Sequence, residues 1–123
     1  MTFKNPTAPT LEELNSVMSR RGGSLDLRGT AITSLPEGLT VGGSLDLSGT
    51  AIPVVYADIV RDYRLRRVKV GDAGEWWTAG CRLFEGRAEA LAHWGGDNYP
   101  DKRRGWRYCD AINSTPVGWN DRD

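Results

Sequence analysis

Covalent or metal chemistry in this chain would have to start from one histidine, His93, and two cysteines, Cys81 and Cys109. Asp110 follows Cys109, so Cys109, His93 and Asp110 offer a nucleophile, a base and an orienting carboxylate, the parts of a cysteine-dependent enzyme. A plainer role fits the spacing better. Cys109 recurs with Trp106 and Ile112 at helical intervals, the place of a small apolar core residue, and Cys81 lies in a strand-like stretch that invites the same reading. His93 precedes Trp94 at the end of a short helical segment, where an imidazole can cap free carbonyls. One histidine and two cysteines make neither a four-ligand zinc site nor a disulfide framework. The glycines of GGSLDL are followed by no Lys-Ser or Lys-Thr pair, so they form no phosphate loop. We therefore expect a protein that is not an enzyme and takes no cofactor, with the thiols reduced.

Binding chemistry is better represented. Arg61, Arg64, Arg66, Arg67 and Lys69 form one basic run, and Lys102, Arg103, Arg104 and Arg107 a second. If they converged near Trp76, Trp77 and Tyr99 they would suit phosphate contacts and base stacking. Asp62, Glu75, Glu85, Asp97 and Asp101 are interleaved with them and can pair with many. The chain as a whole is neutral, with 16 basic and 16 acidic residues, which removes the bulk electrostatic argument for a nucleic-acid or membrane binder. Trp76 and Trp77, being adjacent, cannot both point inward from a regular strand, so one faces out or lies under a helix. An exposed tryptophan beside arginine is a common protein-interface anchor. A further candidate surface is the set Ser24, Asp26 and Arg28 beside Ser44, Asp46 and Ser48.

That last set belongs to a repeat, and the repeat dictates the elements. Residues 22–32 and 42–52 are identical at ten of eleven positions, Arg28 against Ser48 being the one change. Leu25 and Leu27, then Leu45 and Leu47, alternate with polar residues as short half-buried strands do. Stacked in register, Leu25 would lie on Leu45, Leu27 on Leu47 and Ile32 on Ile52, in a parallel ladder. The spacing L-x-L followed by L-P-x-x-L, at Leu25, Leu27, Leu35, Pro36 and Leu39, resembles short bacterial leucine-rich repeats. A solenoid of this kind needs about three coils and capped ends.

The flanks supply the caps. Thr10 and Glu13 form a capping box that opens a helix of about ten residues, with Leu11, Leu14, Val17 and Met18 on one face and Gly22-Gly23 at its end. Leu65 stands twenty residues beyond Leu45, which predicts a decayed third coil. Beyond it, Tyr63 and Leu65, then Val68 and Val70, alternate with basic residues, and the phase slips at Arg66-Arg67 as at a bulge. GDAG turns the chain into EWWTAGCRLF, read as the returning strand of a hairpin. Helices are predicted over 87–94 and from Pro100-Asp101 to 113, the second burying Trp106, Cys109 and Ile112. Trp119 lies in a tail, docked or free.

The fold class predicted is α+β. A short leucine-rich-repeat-like solenoid of about two to three coils with parallel strands is capped by an N-terminal helix and fused to a C-terminal β-hairpin plus two-helix module. The divisions are 1–21, 22–60, 61–116 and the tail 117–123, within one folding unit, as 123 residues allow. No apolar run reaches the roughly twenty residues of a membrane span, and residues 1–20 lack a secretory pattern, so we expect a cytoplasmic protein with no membrane partner. Oligomeric state is left open, a monomer being favoured.

The repeat followed by AGCRLF, EALAHWG and YCDAIN resembles small phage and prophage-type proteins that join short leucine-rich repeats to one compact C-terminal module. The likeness spans residues 22–116. Stand-alone proteins of this size from mobile elements include anti-CRISPR inhibitors, which act by binding a CRISPR effector complex. The resemblance implies a protein-binding module aimed at a bacterial defence complex in the host cytoplasm, and it supplies no catalytic residues. The binding residues expected are Asp26, Arg28, Asp46, Arg64, Arg66, Arg67, Trp76, Trp77, Arg103, Arg104 and Arg107. A nucleic-acid binder using a basic arginine patch is the alternative, and a cysteine-dependent enzyme the remote one.

Overall fold

The computed structural model describes residues 7–20, 22–57, 63–71, 74–79 and 82–119. Cys81, Arg61 and Asp62 lie outside them. Helix α1 (Leu11–Arg20) starts and stops where its end residues dictate. Thr10 Oγ1 accepts the Glu13 amide at 3.2 Å while Glu13 Oε1 accepts the Thr10 amide at 3.1 Å, two otherwise orphaned donors satisfied reciprocally. Gly22 takes φ +64°, and the Gly23 amide reaches back to the Met18 carbonyl at 2.9 Å, which is the left-handed stop that glycine permits. Leu14 and Met18 are buried, and Leu11 and Val17 pack against the same cluster.

The two repeat copies stack in register. Strands β1 (Leu25–Asp26) and β3 (Leu45–Asp46) are parallel, with β2 (Ser34–Leu35) between them in the chain; Leu25 lies opposite Leu45 and Asp26 opposite Asp46. The amides of Leu25, Leu27 and Gly29 donate to the carbonyls of Ser44, Asp46 and Ser48 at 2.8, 2.9 and 3.0 Å. Contact between copies is close enough that a Cβ at Gly43 would lie 2.5 Å from Ser24 Oγ, so the second copy must open on glycine. Leu25, Leu27, Ile32, Leu35 and Leu39 of the first copy and Leu45, Leu47 and Ile52 of the second share one buried cluster.

The period does not continue to Leu65. The ladder has two strands, and Leu65 sits in β5 (Arg64–Val70), opposite Ala79 of β6 (Gly74–Ala79). The chain leaves the repeat path where Pro53 replaces Thr33, whose amide bonds the Thr7 carbonyl at 3.1 Å in the first copy; proline has no amide to offer. From there β4 (Val54–Ala57) runs antiparallel to β5, whereas the equivalent β2 runs parallel to it. The sheet order is β2-β5-β6-β7, with β4 also on β5.

Two further expectations about this sheet are corrected. EWWTAGCRLF is not one returning strand: β7 (Arg82–Phe84) pairs back on β6, Trp77 facing Phe84 and Ala79 facing Arg82. The phase slip at Arg66-Arg67 is not a bulge in β5, which pairs with β6 without a break from Leu65 to Val70. The irregularity lies on β4, between Val54 and Tyr56. β5 breaks the one-sided pattern because both faces of the sheet are covered. Val68, Val70 and Trp76 join the repeat cluster, while Leu65, Trp77 and Ala79 join a second cluster with the C-terminal helices. Alternation along the strand then sends the two tryptophans to opposite faces, and both are buried.

Helices α2 (Arg87–Trp94) and α3 (Lys102–Asn113) form the C-terminal layer. Asp101 caps α3, its Oδ1 accepting the Arg104 amide at 3.0 Å. The buried face of α3 is Gly105, Tyr108 and Ile112, not Trp106, Cys109 and Ile112: Trp106 is 68% exposed and Cys109 half-buried. Gly105 causes the rotation. A Cβ there would overlap the Trp94 carbonyl oxygen and lie 2.9 Å from Tyr99 Cδ2, so α3 turns its glycine toward the end of α2. Gly105→Ala at an exposed helix position would gain about 1 kcal/mol in propensity; here it is expected to lose about 1–3 kcal/mol net, because the helices must part. Urea unfolding measures this, and a stabilised variant would refute the contact.

Candidate functional site

The sulfur and the imidazole each pack against other neighbours. Cys109 Sγ is 3.9 Å from the Leu91 carbonyl oxygen, and burial raises its thiol above the usual range, the wrong direction for a nucleophile. The His93 ring packs on Phe84 at 4.8 Å and Tyr99 at 5.3 Å between centroids. Burial first, then the charge of Arg82, lowers its pKa. No hydrogen bond joins His93 to Cys109 among the described residues, and Asp110 is exposed on α3. Nor does His93 cap α2: its ring makes no hydrogen bond among the described residues, and the Leu91 carbonyl accepts the Gly95 amide at 2.9 Å. No group of three or more His, Cys, Asp or Glu side chains is placed to hold a metal among the described residues. No helix among them is long and apolar enough to cross a membrane.

On the repeat surface Asp26, Arg28 and Asp46 come together. Register stacks the two aspartates, and Arg28 neutralises them, its Nε and Nη2 bonding Asp26 Oδ1 and Oδ2 at 3.0 and 2.9 Å while Nε lies 3.6 Å from Asp46 Oδ2. The Asp26 hydrogen bond, then the charges of both aspartates, raise the Arg28 pKa further. Asp26 and Asp46 also accept the amides two residues on, at 3.1 and 3.0 Å, turning the chain in each copy. This constellation is occupied with itself.

The arginine sets divide. Arg66 is buried on the side of Val68 and Val70, and Trp76 and Trp77 are likewise interior. Arg67 enters a network around Glu75, a residue on the opposite strand. Arg67 Nε bonds Glu75 Oε2 at 2.7 Å, Arg87 Nε bonds Oε1 at 2.8 Å and the Trp77 indole Nε1 bonds Oε1 at 3.1 Å. The same arginines hold the C-terminal tail, Arg67 through the Gly118 carbonyl at 2.8 Å and Arg87 through the Thr115 carbonyl at 2.7 Å. Trp119 docks, its ring 3.9 Å below Arg67 Cζ and its Nε1 3.0 Å from the Gly74 carbonyl. Burial alone would raise the Glu75 carboxyl, but the hydrogen bonds of Arg87, Trp77 and Arg67 outweigh it and hold the group below the ordinary range.

Arg64, Arg103, Arg104 and Arg107 remain outside. Arg104 stacks on Tyr63 at 4.6 Å and lies 3.8 Å from Asp101 Oδ2. Arg107 Nη1 is 3.5 Å from the Tyr56 hydroxyl. Thus α3 brings two arginines to the end of the sheet where exposed Arg64 begins β5, and Arg67 stays with the tail. The residue missed from sequence is Trp106. Its exposure follows from Gly105 and Tyr108 taking the inner face, a pattern visible at i and i+3 once a glycine inside a helix is read as a contact point.

No family model matches the chain, and neither the curated proteins nor the solved structures supply a match.

Proposed function

We propose that this protein is a protein-binding module whose anchor is the outer face of α3, centred on Trp106. One observation carries this. Of the five tryptophans, Trp76, Trp77 and Trp94 are buried and Trp119 is docked, while Trp106 stands 68% exposed on a face with exposed Arg103 and Arg107. A tryptophan ringed by arginines is the composition of an interface hot spot, and its charge calls for a partner with an apolar recess bordered by carboxylates. The stacked repeats are read with it as the stub of a leucine-rich-repeat solenoid, closed by α1 and by the sheet. The resemblance to phage-type repeat proteins supports a bacterial defence complex as the target, inhibited by direct contact in the manner of an anti-CRISPR protein.

The test is capture of a purified CRISPR effector complex, nuclease-treated, by the tagged protein and by Trp106→Ala. Wild type is expected to retain the complex and Trp106→Ala to bind about thirtyfold or more weakly, the loss of a hot spot of at least about 2 kcal/mol, with stability unchanged within about 0.5 kcal/mol as for a surface site. Retention of nucleic acid alone, stripped by salt, would favour the alternative in which Trp106 stacks on bases beside Arg103 and Arg107. Equal capture by both proteins would remove Trp106 from the site.

A further inference from the structure

The sheet, the exit from the second repeat copy and the C-terminal tail enclose an open cleft of about 860 Å³, within the range of small-molecule sites. Lys69 and Arg67 line it and, among the described residues, no carboxylate does. Arg67 is already committed to Glu75, the Gly118 carbonyl and the Trp119 ring. Lys69 lies directly across the strands from Glu75, yet that carboxylate is taken by Arg67, Arg87 and Trp77, and Lys69 makes no ion pair among the described residues. Among the described residues one carboxylate therefore faces three cations, and the surplus lies at the cleft. Ser34, opposite Lys69 across the β2–β5 pairing, adds a hydroxyl with no hydrogen bond among the described residues. Pro53, Val55 and Val117 give the wall its apolar part, the two valines 40% and 85% exposed, and the hydroxyls of Thr33 and Thr115, which also line it, are bonded to the carbonyls of Thr7 and Ala111.

We propose that this cleft binds a small organic anion, its acidic group on Lys69 and Ser34 and its apolar body against Val55 and Val117. The half-buried ammonium attracts a carboxylate more strongly than an open surface lysine would, because the walls reduce solvent screening. The site is separate from Trp106 and stands or falls independently of it.

Titration calorimetry of the full chain with indole-3-acetate and with indole-3-acetamide, equal in shape and different in charge, tests the proposal. The acid is expected to bind at one site and the amide at least about tenfold more weakly, a difference of about 1.4 kcal/mol. Lys69→Met should bring the acid down to the level of the amide, while Arg103→Met and Trp106→Ala, both outside the cleft, should leave it unchanged. No binding of the acid at millimolar concentration, equal affinity for acid and amide, or a preference that survives Lys69→Met would overturn it. Should Lys69→Met fail to fold, Val55→Glu sets a carboxylate against the bound acid at a half-open strand position. It should weaken the acid at least about tenfold by the same arithmetic, and unchanged binding of the acid would overturn the proposal.

Discussion

Trp77→Ala is expected to lower the free energy of unfolding by about 3–5 kcal/mol. The ring is fully buried and belongs to the cluster that joins the sheet to Ala90, Trp94, Tyr108 and Ile112 of the two C-terminal helices. Alanine leaves a cavity that neither sheet nor helix can close without moving the other. It also withdraws the indole donor at 3.1 Å from Glu75 Oε1. For a domain whose total stability is about 5–15 kcal/mol this is a large fraction, and the thermal midpoint should fall by about 10–20 °C. Trp76→Ala, on the other face, should also be costly, because that ring closes the repeat cluster. If Trp77→Ala cost less than about 1 kcal/mol by urea unfolding, the helix layer would not rest on this face.

Glu75→Gln is expected to cost about 3 kcal/mol at neutral pH and to release the tail. Removing the charge leaves Arg67 and Arg87 facing each other without their shared counter-ion, and a broken buried pair typically costs about 3–5 kcal/mol. The side chains keep 11%, 14% and 19% of their exposure, so water relieves part of the cost and the lower end applies. The pH dependence has a fixed sign. A carboxyl held below its unfolded value near about 4.3 contributes stability that is complete above that value and is lost as pH falls through the folded pKa. Wild type should therefore weaken progressively in acid below about pH 5, and Glu75→Gln should lose that part of the slope. Denaturant midpoints between pH 7 and pH 3 would show it. Parallel curves for the two proteins would mean that Glu75 is not the group that senses acid.

Much of the frame is legible in the sequence because it is local. The capping box at Thr10 and Glu13, the glycine stop at Gly22, the stacking of Leu25 on Leu45 and the bounds of α2 follow from bonds made within a few residues or from a period repeated without error. The departures share one cause. Leu65 and the slip at Arg66-Arg67 both assume a sheet with one buried face. A strand covered on both sides shows no clean alternation, so its sequence cannot announce which neighbour takes which residue. Gly105 gives no signal of its own, because a glycine in a helix reads as a defect until the carbonyl it makes room for is known.

The candidate surface shows the same division. The types present, arginine and tryptophan beside few reactive groups, point to binding, and the repeat shows which aspartates stack. Which arginines remain outside was decided by tertiary structure alone: Glu75 draws in Arg67 from eight residues away and Arg87 from twelve, and the tail reaches Arg67 across fifty-one. Local periodicity and caps determined the elements, since their energies depend on near neighbours. The faces they present to one another were settled only when the sheet was covered on both sides, since burial and charge pairing depend on residues that distance in sequence does not reveal.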